Sequence, residues 1–154
     1  MKIFYWSPFL SNIATIDAVL NSIKSLNSYD KNNNFDPSLI DAVGEWAQKK
    51  SKTQEIQIKK LYKKEIYQLL PKGSFLRSRF SQTIIFLLSF FRLRKLIIKE
   101  SPEYLIAHLI VSLPLLLFTT FNFKTKLILR ISGTPKLNFI RKFFWRLFSK
   151  KIYK

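Results

Sequence analysis

Apolar residues fall along this chain in short blocks that alternate between two periods. Ile3-Phe4-Tyr5-Trp6 is a continuous β-prone run, the pattern of a strand covered on both faces. After the loop Ser7-Pro8-Phe9-Leu10-Ser11-Asn12, residues Ile16, Val19, Leu20, Ile23 and Leu26 recur at helical spacing, with Asn12 or Thr15 available as cap. Asn27 to Pro37 is polar and turn-rich, and Leu39 to Val43 predicts a second strand. Glu45 to Lys64 is lysine-rich and weakly periodic, which predicts a solvated, partly helical excursion. Ile66 to Leu70 predicts a third strand, ended by Pro71-Lys72-Gly73-Ser74.

Leu76 to Lys99 predicts a long helix, apolar nearly all round in its first half and basic in its second, with Arg92, Arg94, Lys95 and Lys99. Tyr104 to Phe121 is an almost unbroken apolar run, close to the roughly 20 residues a membrane span needs. Inside it, Ser112 followed by Pro114 is a helix-start signature, because proline's missing N–H costs nothing in a first turn. The run therefore divides into a fourth strand through His108 and a buried helix from Leu113 to Phe121. Lys126 to Ile131 predicts a fifth strand, with Ser132-Gly133-Thr134-Pro135 as its exit. Leu137, Ile140, Phe143, Phe144, Leu147 and Phe148 share one face of a last helix, opposite Lys142, Arg146 and Lys150, before Lys151 to Lys154 opens a further strand.

Strands alternating with helices predict one α/β domain over residues 1–154. It is a Rossmann-like, mostly parallel sheet with helices on both faces. In such sheets ligands bind beyond the carboxyl ends of the strands. The candidate residues are then those at the strand exits: Ser7, Pro8, Ser11 and Asn12; Asp41; Lys72, Gly73 and Ser74; His108; and Arg130, Ser132 and Gly133. An imidazole ending a buried strand can serve as a base or polarise a hydroxyl, or can sit in the core with one hydrogen bond. Lys72-Gly73-Ser74 and Ser132-Gly133 can bring backbone close to an anion, or form ordinary turns. Asp41 can bind a hydroxyl, or cap the segment that follows it.

Charge narrows the choice of partner. The chain carries 27 Lys and Arg against 9 Asp and Glu, a formal net charge of +18, and no acidic residue follows Glu103. Such a field attracts polyanions, either nucleic acid or an anionic membrane surface. No recognised nucleic-acid module accompanies the charge, which disfavours nucleic acid. The aromatic and basic helices suit a lipid surface, with Arg92, Arg94, Lys95, Lys142, Arg146 and Lys150 facing it. With no Cys, thiolate metal sites are excluded, a single His disfavours a His-based cage, and no metal is expected. The opening apolar run stops at Pro8 without a cleavage site, so it reads as a strand in a cytoplasmic protein.

Three segments carry a family resemblance. Lys2-Ile3-Phe4-Tyr5-Trp6-Ser7-Pro8-Phe9 resembles the first strand and acceptor loop of family-4-type glycosyltransferases of bacterial surface-polysaccharide synthesis. Tyr104-Leu105-Ile106-Ala107-His108 resembles their strand ending in histidine, and Leu127 to Gly133 the strand and glycine turn that come next. The resemblance implies the amino-terminal half of a GT-B fold. In that family it binds the acceptor of a sugar drawn from a nucleotide-sugar donor, which is a substrate and not a resident cofactor. It implies that His108 sits near the reacting sugar, and that the residues from Ser7 to Asn12 frame the acceptor side. The acceptor would be a glycan or a lipid-linked sugar at the inner face of the cell membrane. The paired glycines common in the family's first loop are absent, as are a second domain and its glutamate pair. The donor site is therefore expected on a separate domain or chain, with this chain inactive alone. The alternative is a non-enzymatic, basic membrane-associated protein with Tyr104 to Phe121 as its span.

Overall fold

In a computed structural model the protein is described over residues 1–11, 13–30, 34–71, 73–130 and at Arg146. The elements are β1 (Lys2–Trp6), α1 (Ala14–Tyr29), β2 (Asp36–Asp41), a 3-10 turn (Glu45–Lys49), α2 (Lys50–Thr53) and β3 (Gln57–Lys60). A second 3-10 turn (Ile66–Leu69), α3 (Phe75–Glu100), β4 (Tyr104–Ala107), α4 (Ser112–Thr120) and β5 (Lys126–Leu129) follow. The expected last helix and the strand after it lie outside the described residues, as do Asn12, Lys72, Ser132, Gly133, Lys142 and Lys150.

The five strands form one sheet in the order β3-β2-β1-β4-β5, and every pairing is parallel. Side chains alternate across it, as the strand period of two requires. Ile3, Tyr5 and Leu39 pack with Ile16, Val19, Leu20 and Ile23 of α1. Phe4, Trp6, Ile40, Leu105 and Ala107 pack on the other face with Ile85, Leu93 and Ile97 of α3 and Leu113 and Leu117 of α4. Both faces of β1 are thus covered, which is why Ile3 to Trp6 is apolar without a break. β2 is buried from Pro37 to Asp41, with only Leu39 and Ile40 as its apolar centre. This is a Rossmann-like α/β fold.

Four expectations need correction. The third strand is not Ile66 to Leu70, which forms a 3-10 turn with Tyr67 buried. It is Gln57–Lys60, inside the segment expected to be a solvated excursion. As an edge strand it is half-buried at best, so polar residues fit it, and its two lysines are what an edge commonly carries. The same excursion begins with Glu45 and Trp46, both fully buried. Asn12 or Thr15 is the expected cap of α1, but its N-cap is Ile13.

The long apolar run divides as its Ser-Pro signal predicts, into β4, a loop and α4. Among the described residues no helix is long and apolar enough to cross a membrane. The spanning alternative for Tyr104 to Phe121 is therefore replaced by a strand and a nine-residue helix.

Candidate functional site

The strand order places a switch point between β1 and β4. The chain leaves β1 toward α1 on one face, and leaves β4 toward α4 on the other. A crevice opens where the two connections part, beyond the carboxyl ends of the strands. His108 stands at that point. Its N–H donates to the carbonyl of Trp6 at 2.9 Å, which holds it beside the exit of β1, one residue past the end of β4 at Ala107. Arg130 occupies the matching place after β5, its N–H donating to the carbonyl of Ala107 at 2.9 Å. Ile110, two residues past His108, has a left-handed φ of 47°, a conformation that a β-branched side chain strains to adopt.

His108 is 8% exposed, and neither ring nitrogen has a hydrogen-bond partner among the described residues. Its ring stacks on Tyr5 with centroids 6.1 Å apart. Burial, followed by the positive charge of Arg130, lowers its pKa to about 4, so it is neutral at pH 7. A buried polar group left unpaired costs free energy unless a ligand or water satisfies it. His108 also lines a cavity of about 190 Å³ with Arg130 and with Ala14, Thr15 and Ala18 from the start of α1.

Ser7 lies at the exit of β1, fully buried, with its hydroxyl unpaired among the described residues. Pro8 is buried beside it, whereas Ser11 is exposed. The side chain of Tyr67 donates to the carbonyl of Leu10 at 2.9 Å and pins this loop to the second 3-10 turn.

Asp41 ends β2 and does what a cap does: its Oδ1 accepts from the N–H of Gly44 at 2.8 Å. Glu45 turns back to accept from Ala42 at 3.1 Å and Val43 at 2.8 Å. Burial, then a hydrogen bond with Asp41 and its charge, holds the Glu45 carboxyl well above the usual range. Oδ2 of Asp41 is buried with no hydrogen-bond partner among the described residues. The tight turn between Asp41 and Glu45 uses Gly44 at φ +94°, where a Cβ would meet Glu65 Cα at 2.8 Å. The pair is a buried clasp on the β2 exit.

Gly73 and Ser74 are not at a strand exit, because the third strand is Gln57–Lys60 and a 3-10 turn precedes them. Gly73 has a left-handed φ of 98°, and Ser74 caps α3, accepting from the N–H of Arg77 at 3.3 Å. Of the basic residues expected to face lipid, Arg92 is folded back onto the protein. Its guanidinium lies 4.0 Å over the Tyr62 ring and donates to the carbonyl of Leu61 at 3.0 Å. Arg94 lies 4.3 Å over Phe121, while Lys95 and Arg146 are exposed.

The structure thus brings His108 and Arg130 together, as the strand-exit rule predicts. It adds the start of α1, which the strand-exit rule does not single out: Ala14 and Ala18 have no polar side chain, and Thr15 reads in the sequence only as a helix cap. The signal was positional, since the helix after the first strand of such a sheet points its N-terminus at the crevice. Among the described residues no group of three His, Asp or Glu side chains gathers to hold a metal. No family model, curated protein or solved structure matches the chain. The fold and the crevice define a doubly wound α/β domain with a switch-point site.

Proposed function

We propose that the chain is the acceptor-side domain of a GT-B glycosyltransferase. It would place a lipid-linked or polysaccharide acceptor for a sugar arriving from a nucleotide-sugar. The observation that carries this reading is the buried imidazole without a protein partner, among the described residues, at the switch-point crevice. Neutral, it offers one N–H donor and one acceptor nitrogen to a sugar hydroxyl. With a pKa of about 4 it is a weak base, so its role is to orient the hydroxyl rather than to remove its proton. Ser7, Pro8 and Ser11 frame the acceptor side, and a donor-binding domain supplied separately grips the nucleotide.

A second observation supports the inner membrane face as the working place. Following a parallel strand, α3 runs back from the carboxyl edge of the sheet to its amino edge. Its 26 residues span roughly 39 Å at 1.5 Å each, far more than a strand of a few residues. Phe75, Leu76 and Phe80, in the overhang nearest the crevice, are 73, 78 and 60% exposed. Leu87, Phe91 and Ile98 continue the exposed apolar row, with Arg77, Arg79, Lys95 and Lys99 exposed alongside. Such a face beds into the headgroup layer, and each cation near an anionic bilayer contributes about 1 kcal/mol. The crevice and the lipid-facing end of α3 then share one side of the molecule, where a lipid-linked acceptor arrives.

The test is sugar transfer from labelled nucleotide-sugars to membrane lipid extract. The chain is assayed alone and with a donor-binding domain encoded beside it. Transfer confined to the combined sample, and lost in His108→Ala, supports the reading. Strong transfer by the chain alone removes the half-enzyme claim, and full transfer by His108→Ala removes the site.

A further inference from the structure

The cavity between α1, β4 and β5 is lined by Ala14, Thr15, Ala18, His108 and Arg130, with no carboxylate among them. Ile13, the N-cap of α1, has no side-chain oxygen, and among the described residues no side chain caps the first turn. Ile16 donates back to the Ile13 carbonyl at 3.0 Å, and Ala14 and Thr15, the first two residues of the helix, line the cavity. First-turn N–H groups have no partner within the helix. The aligned peptide dipoles of a 16-residue helix add about half a positive charge at this end. Arg130 also lines the cavity and has no carboxylate partner among the described residues. The nearest acidic side chain in the first turn of α1, Asp17, is held by Lys52 at 2.7 Å. His108, nine-tenths buried with both nitrogens unpaired among the described residues, closes the third side.

Uncapped helix N–H groups and a guanidinium around one space make an anion site. At about 190 Å³ the cavity is smaller than the roughly 300–1,000 Å³ of pockets that take a whole small molecule. It fits one tetrahedral oxyanion group and not an entire nucleotide.

We propose that this cavity is a phosphate subsite, in which Arg130, the Ala14 and Thr15 N–H groups and His108 hold a phosphoryl group. That the group is the phosphate linking an acceptor sugar to its lipid rests on the sugar-transfer reading. Phosphate binding itself does not, and the two are tested apart.

Inorganic phosphate, uridine diphosphate, and vesicles of phosphatidylcholine with or without a lipid phosphomonoester are titrated into the full chain. Ala14 and Thr15 amide shifts and the His108 ring are followed by NMR. Because the chain carries +18, diffuse anion binding is expected everywhere, so the localised response decides. Saturating shifts at Ala14, Thr15 and His108 are expected. Arg130→Ala should weaken phosphate about tenfold or more, a charged hydrogen bond's worth. Ala18→Glu, which puts a carboxylate on the cavity wall without breaking the helix, should abolish the response. Tighter binding to phosphomonoester vesicles than to uridine diphosphate assigns the subsite to the acceptor. The reverse order assigns it to the donor and removes the acceptor identity while keeping the subsite. Shifts spread over all lysine-rich surfaces, unchanged in both variants, would overturn the proposal.

Discussion

The two ends of the sheet treat polar groups in opposite ways. At the amino edge the chain closes on itself. Lys2 donates its N–H to the Glu103 carboxylate at 2.6 Å, Glu103 donates its own N–H to the Lys2 carbonyl at 3.0 Å, and Lys126 to the Glu103 carbonyl at 2.8 Å. Glu100 sits between Lys2 at 3.3 Å and Lys59 at 3.9 Å. At the carboxyl edge the side chains of Ser7 and His108 and Oδ2 of Asp41 are buried with no partner among the described residues. Protein interiors rarely leave such groups unpaired. One end is closed by its own contacts, and at the other several buried polar groups have no partner among the described residues.

The comparison can be broken by mutation. The largest effect is expected at the one part of the carboxyl edge that is structurally closed. Glu45→Ala strips the acceptors from the buried N–H groups of Ala42 and Val43 and leaves Asp41 alone. A loss of about 2–6 kcal/mol in urea unfolding is expected, from two buried donors at roughly 1–3 kcal/mol each. A loss under about half a kcal/mol would mean the clasp is not formed.

At the amino edge, Glu103→Gln should lower the melting temperature by less than Glu45→Ala does. Backbone N–H groups, its own and that of Lys2, hold the Glu103 carboxyl below its usual pKa. The stability it lends is present above the unfolded value near 4.5 and is lost as pH falls through the lower folded value. The difference between wild type and Glu103→Gln should therefore shrink on acidification. A difference that grows would contradict the bonding drawn here.

The smallest effect is expected at Ser7. Its hydroxyl has no partner among the described residues, so Ser7→Ala removes an unsatisfied group and should change stability by about half a kcal/mol or less. A loss above about 1 kcal/mol would show that the hydroxyl is bonded within the fold, and the open edge would fail for it.

Much of this arrangement was legible in the sequence, and what was not has physical causes. β1 and β4 lie inside the sheet and stand out as apolar blocks, whereas β2 shows only its Leu39-Ile40 centre, so its start at Asp36 was hidden in a polar stretch. β3 is an edge strand, where Lys59 and Lys60 are permitted, and its run resembles a loop. Ile66 to Leu69 is β-prone but forms a 3-10 turn, tied by the Tyr67 N–H to the Val43 carbonyl at 2.8 Å and by its hydroxyl to Leu10. Tertiary bonds overrode local propensity there. His108 and Arg130 were legible because each ends a strand and carries chemistry. The start of α1 was not, because its contribution comes from backbone N–H groups that no side-chain pattern marks.

The central claim is that the imidazole at the switch point is buried, neutral and unbonded within the described fold. The chain has one histidine, so an NMR pH titration of the ring in phosphate-free buffer reports on it without ambiguity. A pKa of about 4 is predicted, below the ordinary 6.5. Between those values the unfolded chain binds the proton more readily, so stability should fall as pH drops from 6.5 toward 4. Titration near 6.5, with no such fall in stability, would place His108 in solvent and contradict the crevice.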